Sequence, residues 1–281
     1  MGDHYVPQYY LKGFSGDEGK TIWVYDKKRR CKFATQVKNI ASETGFYSPE
    51  VERHLADCVE DPANAVLKKI RERVQISTED KQVLSAYMVC MWTRVPRGKE
   101  RVKELAPSVA EKVREEIDRQ LRDVALDQPE RSDSVERFKS RAHKVIDRYA
   151  TDPPKDVWLR NISPERRPQV LATLGRMTWQ FLTFDAYPAF VTSDNPVFYF
   201  TGMGIGKPES EVTFPISSCI ALWATWRTDL TEGFFQTSAR VVRELNRRTA
   251  SSSTRYVFHS TDERWVLRLL TQQSWRLNML K

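Results

Sequence analysis

The sequence predicts an α+β fold, with a mixed or antiparallel sheet formed from the N-terminal and C-terminal thirds and a largely helical middle region. Two observations carry that prediction. Runs rich in β-branched and aromatic residues stand near both ends, at Thr21-Ile22-Trp23-Val24-Tyr25 and again across residues 189–259. Between them, from Val51 to Tyr149, apolar residues recur at three- and four-residue steps, as one face of a helix requires. Hydrophobic residues make up 40% of the 281, enough to bury a sizeable core. We read residues 1–281 as a single domain, with 50–150 as a helical insertion or subdomain and 156–281 as the main α/β part.

The elements follow in order. Residues 21–25 and 31–37 form a hairpin whose tip, Lys27-Lys28-Arg29-Arg30, is basic. Val51, Leu55, Val59, Ala63, Val66, Ile70 and Val74 mark a helix that Pro62 should break or kink. Ser77 or Thr78 caps the next helix, whose stripe runs from Val83 to Trp92 until Pro96 ends it. Val102, Leu105, Val109, Val113, Ile117, Leu121 and Val124 continue as a narrow stripe on a long helix, the first half of a helical arm. Val135, Phe138, Ala142, Val145, Ile146 and Tyr149 supply the second half. Asp152-Pro153-Pro154-Lys155 is a linker. A helix starting at Ser163-Pro164 is expected to carry Val170, Leu174, Met177, Phe181 and Leu182. Strands follow at 189–200, 212–216, 220–226 and 255–259, with helices near 237–249 and 262–275.

Forty-five Lys and Arg against 37 Asp and Glu give a net charge of +8, which favours nucleotides or nucleic acid as partners. Four cysteines lack metal-ligand spacing, so a zinc module is not expected; Cys58 and Cys90 read as buried free thiols. The start, MGDHYVPQYY, carries charge and proline where a signal peptide would be apolar, and no run reaches membrane-span length. The expected compartment is cytoplasmic.

Two segments point to a polar site. His4 sits beside Tyr5, Val6 and Pro7, and an imidazole suits general acid–base work or metal binding. Thr192-Ser193-Asp194-Asn195-Pro196-Val197 interrupts an apolar run with a carboxylate and an amide. The structural alternative for the second is an Asx-type turn that satisfies local amides. His4, Asp194 and Glu43 are the candidate catalytic residues, and Asp194 with Glu43 the candidate ligands for Mg2+ or Mn2+. Asn195, Arg94 and Asn246 are the candidate substrate-binding residues, with Arg94 as a phosphate clamp. Glu52 and Glu60, two helical turns apart, share a face and could converge on the same site. Gly202-Met203-Gly204-Ile205-Gly206-Lys207 lacks P-loop spacing and reads as a hairpin or lid loop.

His4-Tyr5-Val6-Pro7-Gln8-Tyr9-Tyr10-Leu11 with Phe14, then Val24-Tyr25-Asp26, then Asn39-Ile40-Ala41-Ser42-Glu43 with Phe46-Tyr47, resembles the uncharacterised bacterial domain-of-unknown-function family 4238. Thr192 to Val197, Phe214-Pro215-Ile216-Ser217, Leu245-Asn246 and Arg255-Tyr256-Val257 resemble its later landmarks. The resemblance implies a bacterial or phage cytosolic protein and a shared polar constellation, and carries no reaction.

The functional expectation is therefore a cytosolic enzyme acting on a phosphate-bearing substrate: a nuclease or nucleotide hydrolase in anti-phage defence or a toxin system. The alternative is a non-catalytic nucleotide- or nucleic-acid-binding protein. The helical arm is expected to carry a homodimer contact or an antitoxin.

Overall fold

The computed structural model describes residues 2–16, 19–187, 189–200 and 202–271. A two-residue strand β1 (Asp3–His4) leads into a one-turn helix α1 (Gln8–Lys12). The hairpin β2 (Thr21–Asp26) and β3 (Cys31–Gln36) follows, and the Asp26 carboxylate accepts the Lys28 and Arg29 amides to fix its basic tip. β4 (Ser42–Glu43) returns to pair with β1.

Three helices come next: α2 (Pro49–Leu55), α3 (Asp61–Arg71) and α4 (Thr78–Thr93). The break expected at Pro62 takes the form of a π-helical segment, Ala56–Glu60. Pro62 then sits in the first turn of α3, where its missing N–H costs nothing. Leu55, Val59, Ala63, Val66 and Ile70 are buried along this path, as their spacing predicts. Cys58 is exposed, which corrects the expectation of a buried thiol there; Cys90 is buried. Ser77 caps α4 in a full capping box with Asp80.

The long helix α5 (Pro96–Asp127), then α6 (Ser132–Thr151) and α7 (Lys155–Arg160), make the helical arm. The chain divides into two units, one of Met1–Arg97 and Ile162–Lys281, the other of Gly98–Asn161. The separate helical unit is thus narrower than residues 50–150, because α2 to α4 bury their apolar faces within the first unit. The Pro153-Pro154 linker lies inside the helical unit, between α6 and α7.

The remaining elements are α8 (Pro168–Arg176), β5 (Thr178–Thr183), β6 (Thr192–Ser193), β7 (Phe198–Tyr199), β8 (Glu211–Ser217), β9 (Ile220–Thr225), β10 (Gly233–Gln236), α9 (Ala239–Ser252), β11 (Tyr256–His259) and α10 (Arg264–Leu269). Phe181 and Leu182, expected on a helix, lie in β5. The run Thr178-Trp179-Gln180-Phe181-Leu182-Thr183 is almost wholly buried, and a central strand of that kind reads from sequence much like a buried helix. The expected helix over 262–275 is α10, and its continuation from 272 lies outside the described residues.

The fold is α+β. A four-stranded antiparallel sheet has the order β3-β2-β11-β6, so the N-terminal hairpin does return to a C-terminal strand, with Tyr25 opposite Val257. A five-stranded mixed sheet, β10-β5-β9-β8-β7, draws only on residues 178–236; β10 joins β5 in parallel and the other pairs are antiparallel. β7 and β8 pair directly, so the glycine-rich segment between them is a hairpin connection, and its Gly204 takes a positive φ of 72°. Among the described residues, no helix is long and apolar enough to cross a membrane.

Candidate functional site

The opening segment and the strand break near Asp194 meet in space. Tyr10, fully buried, stacks on Phe214 with ring centroids 5.2 Å apart. Its hydroxyl donates to the Pro215 carbonyl at 2.8 Å and shares a 2.6 Å hydrogen bond with Thr192 Oγ1. Burial raises the Tyr5 hydroxyl above its usual range, and the negative charge of nearby Asp194 adds to the effect.

The residues of the strand break are committed to the backbone around them. Asp194 Oδ1 accepts the Thr254 amide at 2.8 Å, and Oδ2 accepts the amides of Arg255 and Tyr256 at 2.7 and 2.9 Å. Burial pushes this carboxyl up to about 6, against the pull of the three N–H donors. Asn195 donates from Nδ2 to the Ser252 carbonyl at 2.8 Å, and its own amide bonds Ser193 Oγ. Asn246 accepts the Val191 amide and donates to the Ala189 carbonyl, bridging α9 to the strand entry. Together these side chains splice β6, the start of β11 and the end of α9. The Asx-type alternative is corrected as well, because the amides and carbonyls these side chains hold are not local: Asp194 reaches Thr254 to Tyr256 and Asn195 reaches Ser252. Asp194 is corrected from catalytic or metal-binding residue to backbone clamp, since a buried carboxylate filled by three amides has no geometry for a cation. Asn195 is corrected in the same way, whereas Asn246, though bonded to the Val191 amide and the Ala189 carbonyl, also lines the cavity described below.

Arg94 is likewise internal, at 1% exposure. Nη1 pairs with Glu60 at 2.5 Å, Nη2 donates to the His4 carbonyl at 2.6 Å, and Nε donates to Tyr47 Oη at 3.3 Å. Tyr47 Oη in turn donates to the Arg94 carbonyl at 2.7 Å. A guanidinium with every edge engaged ties the N-terminal strand to α4 and cannot also clamp a phosphate. The π-helical turn ending at Glu60 delivers that partner. Glu52 and Glu60 do flank the same guanidinium: burial raises the Glu52 carboxyl most, and Arg94 opposes that shift.

His4 is half-buried. Its Nε2 bonds the Lys38 carbonyl at 3.1 Å, which makes Nε2 the protonated nitrogen of the neutral ring. Burial lowers its pKa, so the ring is neutral at pH 7 with Nδ1 as its acceptor. Glu43 stands opposite Asp3 in the β1–β4 pair and is exposed. His4 stands opposite Ser42, so its side chain and that of Glu43 lie on opposite faces of the β1–β4 pair, while Asp194 is withdrawn into its clamp. Among the described residues, no three His, Cys, Asp or Glu side chains form a group that could hold a metal ion. The residues expected to bind Mg2+ or Mn2+ therefore do not fit one.

A different region offers open chemistry. Between α9 and α10 lies a cavity of about 330 Å³, lined by Arg243, Arg247 and Arg268 with Trp265, Tyr187 and the base of Asn246. Arg243, Asn246 and Arg247 follow Ala239 at helical spacing, so one face of α9 forms a wall. Trp265 packs edge-on against His259 with centroids 5.5 Å apart. No Asp or Glu is among these lining residues. The sequence carried part of this signal, in the pair Arg243 and Arg247 four residues apart. Trp265 and Arg268 reach the cavity only through the tertiary packing of α10.

No curated protein and no solved structure matches the chain. The family model described as "Protein of unknown function (DUF4238)" matches residues 3–263, nearly the whole length, and the chain belongs to that family.

Proposed function

We propose that this protein binds a phosphate-bearing ligand, a nucleotide or the phosphorylated end of a nucleic acid, in the cavity between α9 and α10. The observation that carries the reading is the lining: Arg243, Arg247 and Arg268 with two aromatic rings over an apolar floor of Ala189, Ala239, Val242 and Leu269, around about 330 Å³, with Arg247 also paired to Glu244 at 3.7 Å. Guanidinium groups match phosphate oxygens in charge and in planar donor geometry. Trp265 and Tyr187 offer ring faces for a base. The first turn of α9 also lends the positive end of its dipole. The volume lies at the lower end of small-molecule sites, on the scale of a mononucleotide.

Binding rather than hydrolysis is favoured because Asp194 and Arg94, expected to do chemistry, are consumed by the fold. His4 does not line the cavity. The hydrolase reading, with its place in phage defence or a toxin pair, enters as a second arm of the test.

Calorimetric titration of AMP, ATP and a 5′-phosphorylated single-stranded oligonucleotide at fixed salt tests the proposal. Saturable binding is expected for at least one of them, at least about tenfold weaker in Arg243→Glu/Arg268→Glu, since each lost charge-assisted contact costs on the order of 1.5 kcal/mol or more. Both residues are exposed, so the exchange leaves the core intact. The His4→Ala variant should bind as wild type does. No saturable binding, or binding indifferent to the double exchange, overturns the proposal. Ligand turnover with Mg2+ or Mn2+ that disappears in His4→Ala would replace it with the hydrolase reading.

A further inference from the structure

The helical arm leaves a large apolar surface uncovered. Leu105, Val109, Val113 and Val124 on α5, and Phe138, Val145 and Tyr149 on α6, are between 39% and 59% exposed. The sequence assigned all seven to stripes that α5 and α6 would turn toward each other. Instead α6 turns Val135 and Ile146 inward, while these seven face solvent.

They form one strip. His143 bonds Asp118 at 2.8 Å, and Arg114 pairs with Asp147, so the helices run antiparallel. In that register residue 113 of α5 stands level with 148 of α6, and 124 with 137. Val113 and Tyr149 are then side by side, as are Val124 and Phe138. Val145 falls level with residue 116, filling the gap in the α5 row between Val113 and Val124. On each helix the exposed row is turned roughly a quarter-turn from the packed row, at about 100° per residue. Because the helices are antiparallel, both rows come out on the same side. The strip runs about 28 Å from Leu105 to Val124, at 1.5 Å per residue.

We infer that this face docks a second copy of the chain, two hairpins closing into a four-helix arrangement. Area is the first reason. With roughly 200 Å² per full aromatic side chain, about 150 Å² per aliphatic one, and about half of each exposed, the strip presents on the order of 600 Å². That is at the top of the range of apolar patches on ordinary monomers and about three quarters of the ~800 Å² per partner of a stable interface. Charge is the second reason. Arg137, Arg141 and Arg148 border the strip on α6. Glu116 and Asp123 border it on α5, with Lys112 and with Arg119, which Glu116 already pairs. A two-fold axis along the hairpin lays α5 of one copy on α6 of the other. Asp123 then meets the Arg137–Arg141 level. The closed bundle is self-complementary, as an isologous contact must be.

Sedimentation velocity on the full chain tests this. Wild type is expected to be a dimer at about 100 µM, and Val109→Glu/Val145→Glu a monomer with unchanged far-UV circular dichroism, because a buried unpaired carboxylate at the centre of an interface is prohibitive. Arg141→Glu alone should weaken the dimer at least about tenfold, and adding Asp123→Arg in the same chain should restore it. A wild-type monomer at that concentration overturns the inference. So does a dimer that survives the double exchange. A failure of Asp123→Arg to rescue Arg141→Glu overturns the two-fold axis.

Discussion

Asp194 shows how a residue type that suggests catalysis can be spent on architecture. Its two oxygens collect three consecutive amides at the entrance to β11, leaving no edge for a ligand. Burial has raised its carboxyl to about 6, against an unfolded value near 3.9. Between those values the folded state holds the proton and the unfolded state does not. The stability this site contributes is therefore fully present below about pH 4 and declines as pH rises through 6, by on the order of 3 kcal/mol. Urea unfolding of wild type and Asp194→Asn at pH 4.5, 6 and 7.5 checks this. The variant should be less stable at pH 7.5 by about 1–3 kcal/mol, because an amide nitrogen faces backbone donors that need an acceptor. It should also lack the wild-type decline attributable to this group. An identical pH slope in the two proteins would mean that Asp194 does not titrate in this way.

The same residue marks what the sequence can and cannot tell. The Ser193-Asp194-Asn195-Pro196 segment announces a place where backbone amides need acceptors, and that much was legible. Which amides they are depends on β11, some sixty residues later. Arg94 was legible as a charge at a helix end; its burial depends on the π-helical turn that presents Glu60.

At the scale of elements, local signals performed well where the chain is half-exposed. The Ser77 cap, the burial rhythm from Leu55 to Ile70, and the N-terminal hairpin all follow from spacing. They failed where an element is buried on both faces, as β5 is, since polar Gln180 and Thr183 are buried there with Trp179, Phe181 and Leu182 and polarity no longer marks the exposed face. Helix α9 is a mixed case. Its extent is readable, expected near 237–249 and found at Ala239–Ser252, yet Arg248 is completely buried. Its Nη1 pairs with Glu211 of β8 at 2.7 Å, and Nε approaches Glu244 one turn back at 3.4 Å. The guanidinium carbon lies 5.7 and 5.1 Å from the ring centroids of Phe198 and Phe200. This contact joins α9 to the five-stranded sheet. Arg248→Met removes the buried pair with Glu211 and leaves Glu244 to its longer pair with Arg247 at 3.7 Å, and should destabilise the protein by about 3–5 kcal/mol in chemical denaturation. A loss under about 1 kcal/mol would show that α9 is held by apolar packing alone.

For the whole molecule, the separation of roles matters most. Residues at the meeting of the N-terminal segment, β6 and β11 hold the two ends of the chain together. Arg243, Arg247 and Arg268 are outside that scaffold and line the cavity between α9 and α10. The net charge of +8 is compatible with a polyanionic partner, but only its local arrangement says where one would sit. The most direct measurement is a crystal structure of the full chain with AMP. The account predicts phosphate density held by Arg243 and Arg268, with the adenine against Trp265 or Tyr187. Density beside His4 or Glu43 instead, with the α9–α10 cavity empty, would contradict it.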